Sequence, residues 1–333
     1  MSDALLTVKD LKLHYFTSKG VVRALDGITF DLAPGETLGL VGESGCGKTT
    51  TGVALLNMPS PPGRIVSGSI IIDGIEIVGM KDRDLRRKVR WSKISMVFQG
   101  AMNCLTPVYT VRALMLETFR EHQDTSHVDI AEAERLMRHY VGLVGLPDHI
   151  LDRYPHELSG GMKQRVVIAI ALFLEPKVII MDEPTTALDV IVQAQILNLI
   201  KALKKSLGLS YIFITHDLAT EAEVADRIMV MYAGKVAEIG TNEQIFGPQG
   251  PAHPYTQKLL NATPRLHQKV SELAFIPGAP PDLIDPPVGC RFAPRCPFAK
   301  DKCLTQEPPS ATLAPGHSVA CWKAMEDPEY ARS

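Results

Sequence analysis

The chain of 333 residues is 45% apolar and 22% charged, an ordinary globular balance with room for two domains or one large domain with an appendage. Its formal charge, 35 − 37 = −2, excludes a global bias toward nucleic acid. The longest apolar stretch, Val166 to Leu174, stops at Glu175-Pro176 and is too short to span a bilayer, and Met1-Ser2-Asp3-Ala4 shows no secretory leader, so any work at a membrane is expected from the cytoplasmic side through a partner.

In chain order, Leu5–Asp31 reads as antiparallel strands joined by hairpin-type turns. Leu38–Val41 is an apolar strand that runs into Gly42-Glu43-Ser44-Gly45-Cys46-Gly47-Lys48-Thr49, and Thr50–Leu56 reads as a helix. Strand, glycine-rich loop and helix in that order are the context a Gly-x-x-x-x-Gly-Lys-Thr phosphate loop requires. Gly42, Gly45 and Gly47 let the loop's backbone N–H groups, with those of Ser44, Cys46 and Thr50, curl round an anion at a helix N-terminus. Lys48 would reach the β- and γ-phosphates of ATP, and the Thr49 hydroxyl would ligate Mg²⁺.

Ser69–Gly74 adds a further antiparallel strand and turn, and Ile94–Phe98 is a strand that ends at Gln99. Leu158-Ser159-Gly160-Gly161-Met162-Lys163-Gln164-Arg165 heads a helix to Leu174. Ser159 suits its N-cap and the glycines leave the first N–H groups open to a second anion, although a plain capped core helix fits the same residues. Val178–Met181 ends in Asp182-Glu183, as a Walker-B strand does. Asp182 would bind Mg²⁺ through its water shell and Glu183 would polarise the attacking water. Tyr211–Thr215 ends at His216, a candidate γ-phosphate ligand, because strand ends of an open α/β sheet are where ligands bind. Ile228–Tyr232 is a last strand. The alternation argues for a mostly parallel sheet covered by helices.

With the phosphate loop, Gln99, the Ser159 octet, Asp182-Glu183, Ala187-Leu188-Asp189 and His216 in this order, residues 1–245 resemble the ATPase subunit of an ABC transporter. The resemblance implies a P-loop α/β fold with a RecA-like core, an antiparallel β-subdomain and a helical subdomain at about residues 100–165. It implies that Tyr15 stacks on adenine, with Phe16 as a competing candidate, and that Gln99 links Mg²⁺ and water to the helical subdomain. It also implies that Ser159, Gly160, Gly161 and Gln164 contact ATP held by a second ABC ATPase subunit, and that Asp189 couples the two sites. Two chains, copies or homologues, would sandwich two ATPs head to tail.

Residues 245–333 hold 15 of the 24 prolines and four of the six cysteines, which marks a segment poor in regular structure. His253-Pro254-Tyr255-Thr256, Leu259-Leu260, Ile276-Pro277-Gly278 and Gly289-Cys290-Arg291-Phe292-Ala293-Pro294-Arg295-Cys296 resemble the oligopeptide/dipeptide branch of importers. Residues 246–333 are therefore expected to be its C-terminal extension. Cys104-Leu105-Thr106-Pro107 stands where that branch reads Ser-Leu-Asn-Pro. Cys290, Cys296, Cys303 and Cys321 are spaced Cys-x5-Cys-x6-Cys-x17-Cys, and four clustered thiols in a cytosolic chain point to a metal centre. Paired zinc knuckles are missing, and some members of the branch carry a [4Fe–4S] cluster here, so that is the leading expectation, with Zn²⁺ and free thiols as alternatives.

The expected function is ATP hydrolysis that drives import of a peptide, oligosaccharide or nickel. The expected partners are two transmembrane permease subunits and an extracytoplasmic solute-binding protein, with this chain peripheral at the cytoplasmic face of the cell membrane. The alternative is a soluble ABC ATPase acting on nucleic acid or ribosomes. Such proteins tend to have tandem cassettes or long coiled-coil insertions, whereas here about sixty residues separate Gln99 from Ser159 and no basic run occurs.

Overall fold

The computed structural model describes residues 4–122, 129–262, 276–327 and Tyr330. The strands in chain order are β1 (Leu6–Thr17), β2 (Gly20–Leu32), β3 (Thr37–Val41), β4 (Gly63–Ile72), β5 (Ile75–Glu76) and β6 (Ile94–Val97). They continue with β7 (Val178–Asp182), β8 (Ser210–Ile214), β9 (Arg227–Tyr232), β10 (Lys235–Thr241), β11 (Ala311–Ala314) and β12 (His317–Val319). β3, β7 and β8 are buried at every residue, as parallel strands covered on both faces are. β1 alternates instead, burying Leu6 and Val8 and then Leu11 and Leu13. The parity changes across Asp10, whose φ is 43°, where an extra residue returns the apolar side chains to the core face.

The chain divides into two compact units. One takes residues up to Thr7, Asp31–Glu36 and Ile70–Ile214. Its parallel strands run in the order β8-β7-β6, with Ile179 opposite Tyr211 and Ile180 opposite Met96. It also holds the helices Val111–His122, Ile130–Leu143, Gly160–Leu172 and Val190–Leu207. The helix Gly160–Leu172 buries Val166, Ile168, Ala169 and Leu172, and Trp91 Nε1 donates to its Ile170 carbonyl at 3.0 Å.

The other unit takes Val8–Phe30, Thr37–Ser69 and the chain from Thr215 onward. Its parts of β1, β2 and β4 are neighbours in the order β2-β1-β4. β3 runs parallel to β9 with Leu40 opposite Met229, and β10 returns antiparallel beside β9. The C-terminal residues extend this sheet: β12 pairs with β10, Glu238 opposite Val319, and β11 pairs with β12. The tail thus carries more regular structure than its proline content suggests, including the helix Pro254–Asn261. Tyr232, Tyr255 and Phe292 meet in an aromatic cluster, with Tyr232 4.6 Å from Tyr255 and edge-on to Phe292 at 5.2 Å between ring centroids. Each such ring contributes about 2–3 kcal/mol by leaving water, so the tail is fastened to β9 by a substantial apolar contact. Among the described residues no helix is long and apolar enough to cross a membrane.

Candidate functional site

The phosphate loop leaves β3 at Val41 and enters the helix Lys48–Leu55. Gly42 and Gly47 have φ of 148° and 110°. A Cβ on Gly42 would overlap the Met231 carbonyl oxygen, and one on Gly47 would come within 2.9 Å of the Ala24 carbonyl oxygen, so both positions need glycine. Gly47 caps the helix without a side chain, which leaves the first helical N–H groups facing outward for an anion. Lys48 folds back across the loop, its Nζ donating to the carbonyls of Gly42 at 2.7 Å and Glu43 at 3.2 Å. Ser44, Gly45 and Thr49 are exposed and Thr50 is half-buried. Burial pushes the Cys46 thiol up, so it is a neutral filler rather than a nucleophile.

These features fit a triphosphate with Mg²⁺. The cradle admits phosphate oxygens where side chains cannot go, and the exposed Thr49 hydroxyl is a hard oxygen donor that suits Mg²⁺. In the same unit, Tyr15 packs on Gly63, where a Cβ would lie 2.7 Å from its ring, whereas Phe16 is 45% exposed with the Arg64 guanidinium 5.8 Å above it. His216 is exposed beyond Thr215, and Asp217 caps the next helix by accepting the Ala219 N–H at 3.0 Å. Behind the loop, Glu221 is fully buried against Gly39, where a Cβ would overlap its carboxyl, and burial pushes that carboxyl well above the usual carboxylate range.

The other unit holds Asp182, Glu183, Gln99, Ser159, Gly160, Gly161, Gln164 and Asp189. Asp182 closes β7 at 1% exposure. Glu183 follows with φ 49°, a left-handed conformation that costs a non-glycine residue about 1–2 kcal/mol. Its amide donates to the Ile214 carbonyl at 2.8 Å. Its Oε2 accepts from Gln99 Nε2 at 2.8 Å and from the Thr186 hydroxyl at 2.9 Å. The fold therefore joins two sequence-predicted residues 84 positions apart. Ser159 caps its helix by accepting the Met162 N–H at 3.4 Å, and Asp189 caps Val190–Leu207 by accepting the Val192 N–H at 3.0 Å. The two helix starts pack tightly, since a Cβ on Gly161 would lie 2.8 Å from Val192. Gln164 is buried within the unit at 3% exposure.

Two family models match the chain: ABC transporter, over residues 25–186, and oligopeptide/dipeptide transporter, C-terminal region, over residues 237–303. The dipeptide transport ATP-binding protein DppD of Bacillus subtilis (strain 168) is 43% identical over 332 residues, covering 99% of this chain and 97% of the relative. The oligopeptide transport ATP-binding protein OppD of Escherichia coli (strain K12) is 43% identical over 328 residues, 98% of this chain and 95% of the relative. This chain belongs to the ABC transporter ATP-binding proteins, in their oligopeptide/dipeptide branch. Its fold is that of an ABC cassette. The ATP-binding cassette MJ0796, in a dimeric post-hydrolysis state bound to ADP and Pi, superimposes with a TM-score of 0.62 at 26% identity, covering 71% of this chain and 98% of that one.

The metal centre expected at Cys290, Cys296, Cys303 and Cys321, whether [4Fe–4S] or Zn²⁺, finds no support in this member of the family. Among the described residues no group of three or more His, Cys, Asp or Glu is placed to hold a metal ion, and all six cysteines are free. Cys290 lies near enough to Cys296, Cys303 and Cys321 for their charges to raise its pKa, so the four thiols share one neighbourhood without forming such a group. Cys290 and Cys296 flank a short helical turn, Cys303 lies in the helix Asp301–Thr305, and Cys321 caps Trp322–Glu326. Burial pushes the Cys290 thiol up to about 11 and raises Cys296 and Cys321. Mg²⁺ is a different case, since such sites use one or two protein ligands and take the rest from phosphates and water. Residue patterns gave no signal for Glu43, an unspecified position of the loop, and although Tyr255 and Arg295 stand in the tail motifs, nothing in the sequence states that they bind it.

Proposed function

We propose that this chain binds and hydrolyses ATP to energise import of a peptide-class solute through a membrane ABC transporter. The observation that carries the reading is 43% identity over nearly the whole chain to both dipeptide and oligopeptide transport ATP-binding proteins, together with the match of residues 237–303 to the oligopeptide/dipeptide transporter C-terminal region. It works peripherally at the cytoplasmic membrane face as a pair with a copy or homologue, bound to two permease subunits fed by an extracytoplasmic solute-binding protein.

In this reading the loop amides and Lys48 bind the β- and γ-phosphates, His216 hydrogen-bonds the γ-phosphate, and an aromatic, half-buried Tyr15 or the competing Phe16, stacks on adenine. Support for Phe16 is its 45% exposure. Thr49, Asp182 and Gln99 hold Mg²⁺, which supplies charge neutralisation when bound. Glu183 orients and polarises the attacking water, and Gln99 and Thr186 hold its carboxylate in place. Ser159, Gly160, Gly161 and Gln164 complete the partner's site, and Asp189 couples the two.

The head-to-tail element is tested with Ser159→Arg in mixed dimers that carry one mutant chain. ATP binding by the mutant chain is expected to persist while hydrolysis at the partner's phosphate loop is lost. Loss of nucleotide from the mutant chain itself would show that Ser159 acts in cis and overturn the arrangement.

A further inference from the structure

The two arginines of Gly289-Cys290-Arg291-Phe292-Ala293-Pro294-Arg295-Cys296 are buried, at 7% and 8% exposure, where arginine survives only if its donors are met. Arg295 meets all five. Its Nη1 and Nη2 fork the Glu43 carboxylate at 2.6 and 2.9 Å. The remaining N–H groups donate to the Tyr232 hydroxyl at 3.1 Å and to the carbonyls of Ile276 at 3.1 Å and Pro277 at 2.9 Å. Glu43 is the second residue of the phosphate loop, and its own amide donates to the Tyr255 hydroxyl at 2.8 Å.

Arg291 serves the other end of the same loop. It donates to the Ala233 carbonyl and to Asp26. Next to Ala233, the Gly234 amide donates to the Cys46 carbonyl at 2.9 Å. The segment presenting both arginines is itself tied down, the Cys290 amide to the Cys303 carbonyl at 2.8 Å and the Arg295 amide to the Phe292 carbonyl at 2.9 Å. Phe292 sits in the aromatic cluster with Tyr232 and Tyr255.

We propose that Arg295 is a positioning residue for ATP binding: it neutralises and fixes Glu43, so that the C-terminal segment holds the phosphate loop in its anion-binding shape. The proposal rests on the reading of this loop as the ATP site. The need is electrostatic. A carboxylate within a phosphate loop repels a polyanionic ligand, and Glu43 is still a quarter exposed. A forked guanidinium cancels that charge and fixes its direction, which a lysine does only in part.

The test uses the full-length chain, with ATP and Mg²⁺ as ligand, measuring Kd by nucleotide titration, KM and kcat by turnover, and folding by thermal unfolding. Arg295→Met is expected to raise Kd and KM for ATP about tenfold or more, equivalent to about 1.4 kcal/mol, with kcat within about twofold. Adding Glu43→Gln to that variant should bring Kd back to within about threefold of the parent, because it removes the repelling charge. A purely structural role gives no such recovery. A folded Arg295→Met with parent affinity, or a loss that Glu43→Gln does not recover, overturns the proposal. If Arg295→Met does not fold, Arg295→Lys decides: about threefold weaker ATP binding supports the fork, and parent affinity refutes it. Lys48→Ala separates the two levels. Loss of ATP binding there with no effect at Arg295 sinks this proposal alone, whereas ATP binding that survives Lys48→Ala sinks the loop reading as well.

Discussion

Acidification should weaken the tail through one buried histidine. His253 is 3% exposed and caps the helix Pro254–Asn261, its Nδ1 accepting the Tyr255 N–H at 3.0 Å. The neutral ring therefore carries its proton on Nε2, which faces the Ala320 carbonyl. A second proton would have to enter at Nδ1, against a helix N-terminus and out of contact with water. Burial accordingly lowers its pKa from 6.5 to about 4, despite the attraction of Glu238. The folded pKa lies below the unfolded one, so the unfolded chain binds the extra proton and stability falls as pH drops through this window. The loss is about 2 kcal/mol between about pH 7.5 and about pH 5, approaching about 3 kcal/mol below the folded pKa. His253→Asn is the matched comparison: asparagine also caps, and it does not titrate. Its packing penalty against Phe292 is independent of pH, so only the slopes matter. Denaturant unfolding of both proteins across this range is the assay. Parallel stability–pH curves, or a His253 NMR titration near its ordinary value, would refute the reasoning.

Glu221→Gln should stabilise the protein by about 1 kcal/mol or more near neutral pH, because the buried carboxyl resists ionisation. Its folded pKa is raised, so the variant's advantage should grow as pH rises above the ordinary carboxylate range; an advantage that shrinks would contradict the burial argument. Glu238→Ala should cost about 3–5 kcal/mol in equilibrium unfolding, since it strands the amides of Ala252 and His253 and the His317 ring that donate to its two oxygens. Glu238→Gln, which keeps an acceptor, should cost less, and equal losses for the two variants would deny those bonds their weight.

The central strands were legible because Val178–Asp182 and Ser210–Ile214 are apolar runs bounded by polar or turn residues, and their observed limits fall within a residue of the expected ones. The Gln99–Glu183 pair was legible only as two strand ends, since nothing local states that they meet. The short strands β11 and β12 escaped because they hold four and three residues and gain their stability from pairing with β10 far upstream in the chain. Arg295 was visible as part of a motif, but its partner lies 252 residues earlier. The cysteine spacing was clear and the four thiols do share one neighbourhood, yet spacing alone does not state whether they group closely enough to hold a metal. Tyr15 was the expected adenine aromatic and Phe16 its competitor, and residue type alone could not state that Tyr15 packs beside Gly63 while Phe16 is 45% exposed.

The most direct test of the account is Glu183→Gln in the full-length chain, with ATP binding and ATP turnover measured side by side. Removing the carboxylate proposed to polarise water, while leaving Asp182 and the phosphate loop intact, should cut turnover by a factor of about 10² or more and leave ATP affinity nearly unchanged, so that ATP-bound dimers accumulate. Turnover near the parent rate, or loss of ATP binding together with turnover, would contradict the assignment of Glu183 as the base of an ABC ATPase site.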